Sequence, residues 1–140
     1  ATIDQSAGIR WWNGISTTTG AIKTAIGSGF SNTNTIITSQ GEPKTSYAAG
    51  LVRVYNGGGY SDWYLPSYYE FYQIFQNNAT WGGFSNAYYW TSTQDSNEIY
   101  PSYAKDEANR AVATGGGYMG GGYGPTDKSD SYYVRAIRSF

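Results

Sequence analysis

The spacing of apolar residues changes character twice along the chain. A short apolar pulse from Ile9 to Trp12, closed by Asn13-Gly14, reads as a strand running into a turn. Residues 15–40 are rich in Thr, Ser, Gly and Asn around a small apolar patch at Ile36-Ile37, which predicts loops and one short helix. Pro43 followed by Thr45 marks a helix start. Tyr47, Ala48, Leu51, Val52 and Tyr55 then recur at amphipathic-helix spacing until Asn56-Gly57 stops them. A second helix begins at Ser67, whose pairing with Glu70 is the S-x-x-E capping box. Tyr68, Phe71, Tyr72, Ile74 and Phe75 line one face, and Asn77-Asn78 ends it. From Trp81 onward the texture becomes β-prone: "AYYWTSTQ", "PSYAKD", "RAVAT" and "SYYVRAIRSF" are separated by polar or glycine-rich connections. Two helices followed by a small antiparallel sheet is an α+β layout.

Composition changes this picture in two ways. At 140 residues the chain has the length of one domain, and we take 1–140 as a single unit. Leu, Ile, Val and Phe contribute only 21 residues, a scarcity that signals disorder when it accompanies a large net charge, but here the net charge is −1. The apolar area must instead come from 15 Tyr and 5 Trp, and so few aliphatic residues cannot sheathe them all. Some rings are therefore expected at the surface. Nine dispersed Lys and Arg give no basic stripe, which argues against nucleic acid as a partner. No apolar run approaches the ~20 residues of a membrane span, so insertion into a bilayer is not expected. The absence of Cys excludes disulfides and thiolate chemistry, and the absence of His removes the commonest general base and zinc ligand.

Several residues carry candidate chemistry. The stretch "GGGYSDWYLPS", Gly57 to Ser67, is either the floor of a binding site or a joint in the fold. The joint reading is preferred: Trp63 and Leu65 in the core, Pro66 a rigid lead-in to the helix capped by Ser67 and Glu70, and Asp62 a buried acceptor. Trp11 and Trp90 are assigned to the core as well. Arg135 and Arg138 lie among Val134, Ala136 and Ile137, so at least one guanidinium crosses apolar surroundings and needs a carboxylate. Asp62 and Glu70 are the candidate partners. In "TQDSNE", Asp95, Asn97 and Glu98 could offer oxygens to calcium, although such a run is more often a solvated turn, and no cofactor is expected. "QGEPK" at 40–44 only superficially matches a lectin sugar-binding tripeptide. Asp106-Glu107 and the Asp127, Asp130 pair could form an acid–base couple but read as solvated surface. The most informative feature is the set Tyr88, Tyr100, Tyr103, Tyr118, Tyr123 and Tyr132, in or beside predicted loops and interspersed with Gly, Ser, Asn and Asp. That is the composition of binding loops, in which Tyr contributes rigid contact area at low entropic cost. The same rings could equally fill a core or pack between subunits.

Four motifs stand in order along the chain: "GIRW" at Gly8 to Trp11, the "DWYLPS" segment within Gly59 to Phe71, "YWTST" at Tyr89 to Thr93, and "YVRAIRSF" at Tyr133 to Phe140. In this the chain resembles the DUF1566 family, a domain that also forms the C-terminal part of bacterial collagen-like adhesins. The resemblance implies a C-type lectin-like fold: two helices, a small twisted antiparallel sheet, and long irregular loops that carry ligand contacts. Many members have a Cys in the first helix and another near the end of the chain, both lacking here. The glycine-tyrosine run at 115–124 looks longer than the family's turn. Formylglycine-generating enzymes share a similar fold, but their oxidative chemistry needs cysteines that this chain does not have. The variable proteins of diversity-generating retroelements, including phage receptor binders, also resemble its Tyr-rich C-terminal half.

The resemblance and the tyrosines together imply a non-enzymatic adhesion or receptor-binding module, extracellular or on a virion surface, at the tip of a phage fibre or bacterial surface protein. Its partner would be a cell-surface glycan or protein. The alternative is a structural decoration or assembly domain of a virion or extracellular filament. The abrupt opening strand suggests the C-terminal module of a longer chain, and a homotrimer would suit a fibre-borne module.

Overall fold

Three α-helices and five strands follow one another in the order β1 (Ser6–Ile9), α1 (Gly29–Gln40), α2 (Ala48–Val54), α3 (Tyr68–Gln76), β2 (Tyr88–Gln94), β3 (Glu107–Val112), β4 (Gly124–Asp127) and β5 (Tyr132–Val134). This computed structural model describes residues 1–77, 83–85, 87–94, 107–112 and 124–139, with 107–112 and 124–125 described by their backbone alone. The α+β class expected from the sequence is the class observed. Two refinements follow. Among the described residues there are three α-helices: the one expected within 15–40, α1, is 12 residues long rather than short, and it joins the two amphipathic helices that the two-helix layout counted. The sheet is mixed rather than antiparallel: in its order β1-β5-β2-β3-β4, β5 runs parallel to β2 at Tyr89 and Tyr133, while the other neighbours are antiparallel.

The helix expected to start at Pro43 begins later. The Glu42–Pro43 peptide is cis, Lys44–Ser46 form a 3₁₀ turn, and α2 starts after Tyr47. Gly50 of α2 lies so close to the backbone of Lys44 that an added Cβ would collide with it, so glycine is required there. The opening strand is likewise displaced, ending at Ile9 instead of running from Ile9 to Trp12. Trp11 leaves the sheet and drops into the core, its backbone N–H donating to the Lys128 carbonyl at 3.0 Å. The expected strand "PSYAKD" and the tyrosine-bearing run at 115–123 lie outside the described residues.

Side chains alternate across β2 and β5 and place one aromatic cluster on each face of the sheet. On the first face Trp90 and Val134 join Trp11, Ile36, Val52 and Leu65, with Tyr132 packed against them. On the second, Tyr89 packs on Phe71, with Tyr133, Phe75 and Phe84 around them. The indoles of Trp11 and Trp90 are both satisfied: Trp11 Nε1 donates to the Thr91 carbonyl and Trp90 Nε1 to that of Ile9, each at 2.8 Å. Burying one such ring contributes about 4–6 kcal/mol by area, which is how a chain short of aliphatic residues maintains a core.

Candidate functional site

The Gly57 to Ser67 stretch connects α2 to α3, and it is both a joint and a wall. Its second half is the joint. Leu65 is fully buried, and its backbone N–H donates to Thr33 Oγ1 of α1 at 3.1 Å. The Pro66 carbonyl accepts from Ser92 of β2 at 2.7 Å. The capping box forms as read from the sequence. The buried Glu70 carboxylate does more than close it: besides the Ser67 N–H at 2.7 Å, it accepts from Gly27 at 2.9 Å and Gly29 at 3.1 Å. Glu70 is therefore occupied by backbone amides and is not an arginine's partner.

The first half of the stretch lines a cleft of about 520 Å³. Tyr55, at the end of α2, and Trp63 lie ring to ring at 5.2 Å. Trp63 Nε1 donates to the Gly57 carbonyl at 3.2 Å, and the Tyr55 ring lies so close to Gly57 that a side chain there would have to displace it. Gly58, at φ +68°, completes the tight turn at a backbone angle that favours glycine. Tyr60 forms the outer part of this wall. Ile74 of α3 and Phe84 stand across from it, and Arg135, Ile137 and Arg138 complete the lining together with Ala1 and Thr2. The register that brings them there is set by Tyr64 and Ile137, which exchange two backbone hydrogen bonds of 2.9 and 3.0 Å.

Both arginines of the segment that follows β5 reach this cleft, each with its own carboxylate. Arg138 grips Asp62 side-on, Nε to Oδ1 at 2.9 Å and Nη2 to Oδ2 at 3.0 Å, and its guanidinium lies 3.5 Å from the centre of the Tyr60 ring. Asp62 was expected to be buried. It is 47% exposed instead, and hydrogen bonding to Arg138 holds its carboxyl below the usual carboxylate range. Arg135 is the guanidinium in apolar surroundings, 3% exposed and stacked 4.4 Å from the centre of the Phe84 ring. Its partner is neither Asp62 nor Glu70 but Asp4 on the lead-in to β1, Nε to Oδ1 at 2.6 Å, with Nη2 donating to the Gly83 carbonyl at 2.7 Å. The other Asp4 oxygen accepts from the Tyr89 hydroxyl at 2.9 Å.

Of the tyrosines proposed for ligand contact, Tyr88 and Tyr132 are described, and Tyr100, Tyr103, Tyr118 and Tyr123 lie outside the described residues. Tyr88 and Tyr132 are the first residues of neighbouring β2 and β5, beside the connections that precede those strands, and lie side by side at 5.4 Å. Tyr88 is 40% exposed. Tyr132 is half-buried against Trp90, its hydroxyl bonded to Asp130 at 3.1 Å. Asp130 also accepts from Thr126, and Asp127 from the Ser129 N–H, so these two acids close a turn rather than face one another. The calcium candidates Asp95, Asn97 and Glu98 lie outside the described residues; among the described residues no group of three or more His, Cys, Asp or Glu could hold a metal ion. In "QGEPK", Glu42 pairs with Lys44 at 2.9 Å and Gln40 accepts from the Asn13 N–H. Trp11, Trp63, Leu65, Pro66, Ser67, Glu70 and Trp90 are buried. No helix among the described residues is long and apolar enough to cross a membrane.

Sequence reasoning missed Tyr55, Tyr60, Ile74, Phe84 and Ile137 as one surface. The available signal was three glycines flanked by aromatic residues at 55, 60 and 63, a turn with rings on either side. Comparison of the chain with protein-family models, with curated proteins and with solved structures found no match.

Proposed function

We propose that this chain is a non-enzymatic receptor-binding module, of the kind carried by phage fibres and bacterial surface proteins, and that the ring-lined cleft between the α2–α3 connection and the segment that follows β5 is its ligand site. The observation that carries this reading is the cleft itself. Its volume falls within the roughly 300–1,000 Å³ of small-ligand sites, and its walls are largely aromatic and aliphatic with a few placed polar groups. Binding is favoured over catalysis because the nearby carboxylates are already committed, Asp62 to Arg138 and Asp4 to Arg135 and Tyr89. The C-type lectin-like reading of the fold and the DUF1566 resemblance are part of the proposal. They are supported by the pairing of the first and last strands, β1 with β5, at the edge of the sheet that also holds β2, β3 and β4. Tyr88 beside Tyr132 offers a second contact surface, continuous in sequence with the Tyr-rich segments.

The test is binding of the labelled chain, presented as a multivalent conjugate, to whole bacterial cells. We expect saturable binding that falls at least tenfold in Tyr60→Ala. Absence of binding to any cell panel by a folded conjugate would overturn the reading. The assembly-domain alternative draws on the exposed Ile15, Ile22, Ile26 and Phe30, apolar surface that contact with other protomers would cover. It predicts concentration-dependent association in sedimentation equilibrium, weakened by Ile26→Ser.

A further inference from the structure

We propose that the cleft recognises a neutral pyranose residue without a metal ion, resting a sugar ring on the exposed Tyr60 and taking a hydroxyl onto the Asp62–Arg138 pair; this deepens the receptor-binding reading above and rests on it. Three observations select that ligand. The first is charge. Each guanidinium at the cleft carries a carboxylate within hydrogen-bond distance, and burial, with Arg135 nearby, lowers the pKa of the Ala1 amine that also lines it to about 6, so at neutral pH the site has little net charge with which to draw in an acidic sugar or a phosphate. The second is the form of the surface. Aromatic rings present electron-rich faces that suit the slightly positive C–H groups on the apolar face of a pyranose. Buried Trp63 backs the turn through its bond to Gly57, and exposed Tyr60 is held by the stacked Arg138, so little side-chain freedom remains to be lost on binding.

The third is the remaining hydrogen-bonding capacity at the rim. A carboxylate offers about four lone-pair sites; Arg138 takes one on each Asp62 oxygen and the Asp62 backbone N–H a third, which leaves about one open. Asp62 is 47% exposed, so its remaining site can accept from a sugar hydroxyl, in a bond strengthened by its charge. A flat hydrocarbon ligand would leave that rim unused. Exposed Tyr60 and Asp62 stand two residues apart on the same short connection, which places a ring surface and an acceptor within the span of one sugar.

The experiment uses the full 140-residue chain on an array of neutral, sialylated and uronate-bearing glycans, with methyl glycosides of the hits then titrated by calorimetry in EDTA and in excess calcium. We expect neutral glycans to be bound equally in both buffers. Tyr60→Ala should weaken binding at least tenfold and Asp62→Asn about fivefold, while Tyr60→Phe stays within about twofold. Thermal melts of each variant separate loss of the site from loss of the fold. Binding restricted to acidic glycans, abolished by EDTA, or indifferent to Tyr60→Ala and Asp62→Asn in folded protein would overturn the inference. If cells are bound but no glycan is, and protease treatment of the cells removes binding, the inference fails while the receptor-binding reading survives. If neither cells nor glycans are bound, both fail.

Discussion

At the scale of single residues, the arginines that follow β5 show how one motif yields two kinds of ion pair. Arg138 and Asp62 meet at the surface, in water, where screening limits what the pair adds to stability, so its effect belongs with the cleft it shapes. Arg135 is almost fully buried, and there removal of one partner leaves an uncompensated charge. We expect Asp4→Ala to destabilise the protein by about 3 kcal/mol in urea denaturation, because it also takes the acceptor from Tyr89. Pairing it with Arg135→Met should restore much of the loss, since an apolar stem can stay against Phe84 without a charge to satisfy. If the double variant were no more stable than Asp4→Ala alone, the cost would lie in packing rather than in the stranded charge. The partnership was not legible beforehand. Arg135 and Asp4 are 131 positions apart, and nothing local to Asp4 marks it out, whereas Asp62 sits in a conspicuous motif and drew the assignment to itself.

At the scale of elements, legibility followed apolar periodicity and failed where the buried face is polar. The helix α3 was readable from S-x-x-E and its row of rings, and it is where it was expected. The longest helix, α1, buries Asn32, Thr33 and Gln40 beside Ile36, so hydrophobic spacing could not reveal its extent. Those polar side chains make the contacts that attach it: Asn32 donates to the Lys23 carbonyl at 2.6 Å, Thr33 both accepts from and donates to Leu65, and Gln40 accepts from Asn13. The cleft was illegible for a different reason, since its walls come from α2's end, α3 and the segment after β5 and meet only in the fold. Glu70 is the element-scale joint, one carboxylate serving the first turn of α3 and the segment leading into α1. Replacing it by Ala strands the buried amides of Gly29 and Ser67, while that of exposed Gly27 can turn to water, and at roughly 1–3 kcal/mol for each unsatisfied buried donor the loss should be at least about 2 kcal/mol. Glu70→Gln keeps one carbonyl oxygen and should cost less than half as much in the same chemical melts. Hydrogen exchange should then show the first turns of α1 and α3 loosening together; loosening of α3 alone would reduce Glu70 to an ordinary cap.

At the scale of the whole molecule, a fold built from tyrosines acquires a sensitivity that a leucine core lacks. Each buried phenol must stay neutral, and burial raises the pKa of Tyr47, Tyr64 and Tyr89, that of Tyr47 to about 12 with Glu42 adding to the rise. The sign follows from linkage. A phenol whose folded pKa lies above its unfolded value of 10.0 binds its proton more tightly in the folded state. Its contribution is therefore complete below pH 10 and lost as pH climbs from 10 towards 12. The three phenols span both aromatic clusters and the bridge to the terminal segment, so their ionisation undermines the protein everywhere at once. We expect a cooperative alkaline transition in that window, with far-UV circular dichroism lost together with the late phase of tyrosinate absorbance, after the exposed tyrosines have titrated. Tyr47→Phe should sacrifice the hydrogen bond to the Gly41 carbonyl, about 1 kcal/mol at neutral pH, and yet flatten the fall in melting temperature between pH 10 and 12. A variant whose alkaline slope matched the parent's would show that Tyr47 ionises only after unfolding has begun, leaving Tyr64 and Tyr89 to set the limit.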